Sequence, residues 1–271
     1  MSAFILGIFG LIIGSFLNVV VLRWGEKSVG GRSACMSCGR QLQWYEMIPV
    51  LSWLALGGKC RTCRMSISIQ YPIVEATTGI VFALIGGSAL TLGAQLFGCA
   101  IAALLIAISV YDLYHTIIPD AWVYAFAVLA LVSQILFSPP GELSIWTVIA
   151  GPIAALPLFL LWAVSRGNWM GFGDVKLALG MGWLLGPIYG IAAIFFGFVI
   201  GAVISVGILL PLPHIVKLFS RLGITSLPHA RGGFTMKSEI PFGPFLVIST
   251  FITWLLLIHN VDPLALIGLS P

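Results

Sequence analysis

Two groups of residues in this sequence have types and spacings that could do chemistry. The first is acidic. Trp169-Met170-Gly171-Phe172-Gly173-Asp174-Val175-Lys176 is a Gly-x-Gly-Asp element between two apolar segments, and Tyr111-Asp112-Leu113-Tyr114-His115-Thr116-Ile117-Ile118-Pro119-Asp120 holds two more of the four Asp in the chain. An acid this close to hydrocarbon is costly unless it is paired, solvated or used. Two carboxylates brought close together cannot both ionise cheaply, so they share one proton. One then acts as base toward a water while the other donates to the carbonyl under attack. That is peptide hydrolysis without a covalent intermediate, and Asp112 with Asp174 is the candidate catalytic pair. Gly171 and Gly173 form the loop before Asp174, where their missing side chains permit close approach to a substrate. If Asp174 caps the helix that follows, the helix dipole favours its charged form while burial opposes it, and Asp174 is expected to be the more readily ionised member.

The second group is Cys35-Met36-Ser37-Cys38 and Cys60-Arg61-Thr62-Cys63. Two Cys-x-x-Cys knuckles at this separation match a closed tetrahedral structural zinc site, with a redox pair and unliganded thiols as the alternatives. A fifth cysteine, Cys99, lies alone in an apolar run and reads as a packed core residue.

Other polar residues near the acids are supporting candidates. Asp120 reads equally as a helix N-cap and as a member of the site. Lys176 could be a counter-charge, though an interfacial, snorkelling lysine is the simpler reading. Glu75 suits a helix-packing or water-lined role as well as a substrate contact, and Glu239 is either a charge before the last apolar segment or part of the site. His115 lies one turn beyond Asp112, whereas His214, His229 and His259 form no metal spacing.

The elements that must position these residues are membrane helices. With 59% hydrophobic residues, 8% charged residues and a mean hydropathy of +1.09, the chain is far from the roughly 25% charge of soluble domains. Runs of about 20 apolar residues recur, and no alternating barrel pattern accompanies them. The expected fold is an all-α membrane protein of about eight transmembrane helices, near 3–22, 72–90, 94–112, 121–137, 145–164, 174–185, 188–210 and 244–259. The first run lacks a basic leader or a small-residue cleavage site and reads as a retained helix. The expected division is a first transmembrane helix over 1–22, a cytoplasmic zinc-binding loop module over 23–71 and a polytopic protease domain over 72–271.

Charge tests this layout. All 13 Lys and Arg fall on one side of it, seven of them between 23 and 71. The positive-inside rule makes that side cytoplasmic and puts both termini outside. Asp112 then ends a span running inward and Asp174 starts one running outward, so both lie at the cytoplasmic end of the bilayer. The net charge of +4 is in loops without interleaved aromatics, which argues for a lipid surface and against nucleic acid.

Taken in order, these residues resemble the prepilin peptidase family, the membrane aspartyl proteases of type IV pilus and type II secretion systems. The resemblance covers nearly the whole chain. It runs through Gly14-Ser15-Phe16-Leu17-Asn18-Val19-Val20, both Cys pairs, Glu75 to Gly79, Asp112 with Pro119-Asp120, Gly171 to Lys176, and Ile240-Pro241-Phe242-Gly243-Pro244-Phe245. It implies a bacterial inner-membrane enzyme with Asp112 and Asp174 as the catalytic pair and Cys35, Cys38, Cys60 and Cys63 as zinc ligands. It also implies removal of the basic leader of prepilins or pseudopilins after a Gly at the cytoplasmic face. Methylation of the new N-terminus with S-adenosylmethionine follows in many members, and no residue of this chain is assigned to that methyl donor. Glu26, Glu46 or Glu239 would be available to hold a basic leader. The rival readings are a presenilin-type protease, which would need both Asp deeper in the bilayer and no zinc loop, and a zinc-knuckle scaffold or ion transporter using Asp112 and Asp174 as an ion site.

Overall fold

The computed structural model describes residues 1–25, 30–138, 145–209 and 241–268. Among them regular structure is helical, with two isolated β-bridges. Glu26 and Glu239 lie outside the described residues, as does most of the segment between the last two apolar runs.

Helix α1 (Ser2–Arg23) is followed by a small module with a 3-10 turn (Trp44–Met47) and a short helix α2 (Leu51–Ala55). Next come α3 (Gln70–Gly87), α4 (Leu92–His115), α5 (Asp120–Phe137), α6 (Ile145–Ser165), α7 (Phe172–Ile204) and α8 (Gly243–Ile258). By length and apolarity five of them, α1, α4, α5, α6 and α7, can cross a membrane.

The eight expected passes divide differently, for three physical reasons. Helix α7 contains two of them. At Gly186 the backbone leaves the helix (φ 80°, ψ 173°) and Pro187 follows. A Cβ placed on Gly190 would sit 3.0 Å from Gly182 Cα, a separation that a continuous helix rising 1.5 Å per residue forbids. The chain therefore reverses, and α7 is a hairpin with arms at 172–185 and 187–204. Helix α3 falls short of the apolar standard because Gln70, Glu75, Thr77 and Thr78 occupy its first turns, yet it runs antiparallel along α1. Ser2 Oγ donates to Gly86 O at 2.7 Å at one end, and Asn18 Nδ2 to Tyr71 O at 3.3 Å toward the other. Helix α8, with 16 residues, is a shorter apolar helix.

Two close approaches hold the bundle. A Cβ on Gly14 would come within 2.7 Å of Glu75 Cα, and one on Gly182 within 2.5 Å of Ala150 O and 2.8 Å of Gly151 Cα. Small residues let backbones meet where lipid supplies no hydrophobic drive between helices. Helix α4 is the axis: 56% of its apolar window is buried, against 33% or less in the other four candidates. Its Ile101, Leu105 and Ile108 pack in one core with Phe126 of α5, Leu177 and Met181 of α7, and Leu246 of α8.

In the module the two cysteine knuckles repeat one backbone design. Cys35 N–H donates to Arg40 O and Cys60 N–H to Met65 O, while the bridges Ala34 to Gln41 and Lys59 to Ser66 flank them. The residue after each second cysteine, Gly39 (φ 69°) and Arg64 (φ 59°), is left-handed. Glycine takes that conformation freely and arginine does not.

Gly182→Leu is expected to lower stability by about 1–3 kcal/mol, because two backbone atoms block the new side chain. It would be seen as a lower melting temperature in detergent. Arg64→Gly should do the reverse within the module, raising the chelator concentration needed to release its metal.

Candidate active site

Asp112 and Asp174 are delivered to one end of the bundle from different helices. Asp112 lies in the last turns of α4, which continues to His115 because Thr116 closes it in the left-handed conformation (φ 52°) with its N–H on Asp112 O at 2.8 Å. The expected end of that span at Asp112 is thus one turn short. Asp174 stands in the first turn of α7. Gly171 holds the capping position and accepts the Asp174 N–H at 3.3 Å, so Asp174 is inside the helix and is not its cap.

Both carboxylates are buried, at 4% and 7% exposure. The backbone N–H of Gly243 donates to Asp112 Oδ2 at 3.0 Å. Gly243 opens α8 and is followed by Pro244. A Cβ there would lie 2.6 Å from Asp112 Oδ2, so the approach requires glycine. Ile118 fills the gap between the two glycine-bearing segments: its side chain would meet a Cβ on Gly173 at 3.0 Å and one on Gly243 at 3.4 Å. The site is thus a buried carboxylate pair, one member held by a main-chain donor, walled by Ile118.

The supporting candidates fall elsewhere. Lys176 Nζ pairs with Asp120 Oδ1 at 2.6 Å and lies over the rings of Tyr124 and Phe172. Asp120 is the first residue of α5 after Pro119 and makes no cap bond; its carboxylate is held by Lys176 instead. Glu75 is buried in α3, where its Oε2 accepts the Val50 N–H at 2.7 Å. His115 is exposed and packs on Tyr111, ring centroids 4.3 Å apart. Glu46 is occupied: it bonds to Arg40 and accepts the Gln43 N–H at 2.9 Å, and with that N–H as the larger cause its carboxyl is held below the usual range. It has nothing to offer a basic leader.

The four cysteines converge. Their Sγ atoms lie within 4.8 Å of one another, and Cys35 Sγ to Cys63 Sγ is 3.7 Å. Four sulfurs at the usual zinc–sulfur distance stand about 3.8 Å apart, whereas a disulfide needs about 2.05 Å. The N–H groups of Cys38 and Ser37 bring the Cys35 thiol down to about 6, and those of Cys63 and Thr62 lower Cys60. These donors favour thiolates at Cys35 and Cys60; at Cys63 the Met65 N–H is outweighed by burial and the neighbouring thiols, which push it up to about 11. The residues therefore fit zinc, held by all four cysteines with no open position for chemistry.

Gly243 is the residue whose role sequence reasoning misses. Its signal is a glycine before proline at a helix start, but the donor is main chain and leaves no side-chain trace.

Comparison with known proteins fits this arrangement. The bacterial peptidase A24 N-terminal domain matches residues 8–88, and the type IV leader peptidase family matches residues 99–206. The chain is 30% identical to the prepilin leader peptidase/N-methyltransferase of Stutzerimonas stutzeri, over 92% of this chain and 88% of that one. This protein belongs to the type IV leader peptidase family. Similarity extends to the type 4 prepilin-like proteins leader peptide-processing enzyme of Escherichia coli O78:H11, 32% identical over 90% of each chain. It extends also to the prepilin leader peptidase/N-methyltransferase of Bacillus subtilis, 31% identical over 93% of each. No solved structure matches the chain significantly. The matched regions take in both Cys knuckles and both buried Asp.

Three outcomes are expected. Gly243→Ala should leave a folded protein whose turnover falls about tenfold or more, since it displaces a group that must be positioned closely. Gly207→Ala, where a Cβ meets nothing within 4 Å, should leave turnover unchanged. Cys60→Ala should reduce bound zinc, read by elemental analysis of the purified protein, from one per chain toward none.

Proposed function

We propose that this multi-pass membrane enzyme removes the leader of type IV prepilins or pseudopilins after a glycine, at the cytoplasmic face, and methylates the new N-terminus with S-adenosylmethionine as co-substrate. The observation that carries the peptidase reading is the pair of buried carboxylates at one end of the bundle, with the Gly243 N–H on Asp112. The names of the curated relatives supply the substrate class and the second activity.

The chemistry follows from the geometry. The Gly243 N–H and the α8 N-terminus behind it present positive potential to Asp112, which suits it to hold the negative charge of the pair. Asp112 takes a proton from a water, the water attacks the scissile carbonyl, and Asp174 gives its proton to the carbonyl oxygen. When the tetrahedral intermediate collapses, the proton on Asp112 passes to the leaving amine and Asp174 recovers its own from the hydroxyl. Each carboxyl ends as it began. Because the site lies at the end of the bundle, a substrate whose apolar helix stays in the bilayer presents its polar leader and scissile bond at this depth. That bond must be unwound, since a helical amide is hydrogen-bonded and covered.

Sidedness rests on charge. The Lys and Arg among the described residues lie at the site end, with the module, Arg166 and Lys176, and the positive-inside rule assigns that end to the cytoplasm of a bacterial inner membrane. The cysteine module holds zinc structurally. A loop of its size buries little core, so the metal supplies its folding energy. We assign no residue to the methyl donor.

Mass spectrometry of a type IV prepilin incubated in detergent with the enzyme and S-adenosylmethionine tests the proposal. Cleavage after the leader glycine is expected, falling about 10²–10⁴-fold in Asp112→Asn and in Asp174→Asn, with one methyl added to the new N-terminus. An intact substrate, or cleavage unaffected by either replacement, would overturn it.

A further inference from the structure

The zinc module exposes the wrong side of its short helices for a domain surrounded by water. From Trp44 through α2 the exposed large residues are Trp44 (74%), Tyr45 (40%), Met47 (43%), Ile48 (39%), Leu51 (66%) and Leu54 (60%). The 3-10 turn and α2 are separate helices broken at Ile48 and Val50, and each exposes apolar side chains, so the segment carries an exposed apolar stripe along its length. The covered side carries the polar group, Glu46, at 8% exposure. This inverts the ordinary rule that the apolar face of a surface helix turns inward.

The stripe is fixed at a known depth. Val50, the residue before α2, donates its N–H to Glu75 at 2.7 Å. Glu75 is the sixth residue of the 18-residue α3. At 1.5 Å per residue α3 is about 27 Å long, so nearly all of it is needed to cross roughly 30 Å of hydrocarbon. Glu75 therefore lies about 7 Å inside the helix start, and its side chain leans back toward that start. Val50 is held there at φ 60°, ψ −52°, a conformation unfavourable for a β-branched residue. The hydrogen bond that its N–H donates to a buried carboxylate compensates for it. Residues that follow Val50 directly cannot stand far out in solvent.

Charge agrees with depth. Among residues 30–69 the basic side chains Arg32, Arg40, Lys59, Arg61 and Arg64 outnumber the single carboxylate Glu46, which is paired with Arg40, and they leave the module net positive even with the four cysteines holding zinc as thiolates. An apolar stripe flanked by uncompensated cations is the composition of a segment lying in a membrane interface, with its apolar face among the acyl chains and its cations at anionic headgroups.

We propose that the Trp44 to Leu54 segment is an interfacial anchor. Its stripe is buried in the leaflet on the module side of the membrane, with anionic lipid as the partner and the Glu75 to Val50 hydrogen bond as the latch that sets its depth. The anchor is independent of which reaction the enzyme performs, and its test uses no cleavage or methylation readout.

The full-length protein, carrying the photo-reactive residue p-benzoylphenylalanine in place of Leu51 or Leu54, is reconstituted in phosphatidylcholine vesicles with and without phosphatidylglycerol, irradiated and weighed. Position 36, on the outer tip of the first knuckle at 88% exposure, serves as the control. Lipid adducts at 51 and 54 should exceed those at 36 by about threefold or more and rise with phosphatidylglycerol. Crosslinks to another segment of the chain or to a second copy, or adducts no more frequent than at position 36, would overturn the proposal. As a second measurement, the double replacement Leu51→Glu, Leu54→Glu should expose Lys59 and Arg61 to faster tryptic cleavage in vesicles while zinc content stays at the wild-type level. Unchanged cleavage with zinc retained would also overturn it, and loss of zinc would show that the stripe supports the fold of the module instead of the membrane.

Discussion

A carboxylate at membrane depth has to be given a partner, and the arrangement of this protein follows from how each acid obtains one. Asp112 receives a backbone N–H from Gly243, the first residue of a helix that begins 131 residues later. Glu75 receives one from Val50, twenty-five residues earlier. Asp120 pairs with Lys176 across α5 and α7. Asp174 is buried in the first turn of α7, at the same end of the bundle as Asp112. Two of these bonds come from main-chain donors. Such donors cost no side-chain entropy and carry no charge of their own, so they hold an acid without neutralising it.

That distribution explains what the sequence discloses. Acids in apolar surroundings are conspicuous, and Asp112 and Asp174 stand out by composition alone. The four cysteines stand out for the same reason, since thiol spacing encodes their geometry directly. The Gly186-Pro187 turn is legible too, because proline ends the helix before it and glycine alone enters that backbone region readily. The partners of the acids are not legible. A main-chain donor has no side-chain identity, and the ion pair between Asp120 and Lys176 depends on which two helices come to lie side by side. Glu46 looks available because it is an acid in a basic loop, but Arg40 and a 3-10 turn already use it.

Counting crossings by helix length and apolarity gives five for a related reason. It credits α7 with one crossing where there are two, although the sequence separates the two apolar runs at Gly186-Pro187. It also penalises α3 for the polar residues in its first turns. Packing distances carry the missing information. The contact between Gly182 and Gly190 shows the reversal, and the bonds from Ser2 to Gly86 and from Asn18 to Tyr71 show that α3 travels the length of α1.

The hairpin in α7 joins two structural neighbourhoods. Its first arm carries Asp174 and packs on α5 and α6, with Phe126 against Gly180 and Ala150 against Gly182. Its second arm packs on the start of α8, with Phe198 against Phe242 and Phe245 against Gly201, beside the residue that holds Asp112. One half of the carboxylate pair is therefore referenced to one arm and the other half to the second. The two are joined by a single left-handed glycine on the far side of the membrane. The spacing of the pair is thus set partly by a turn that no substrate at the site could touch, and an alteration of that turn on one face of the bilayer would be felt as misalignment on the other.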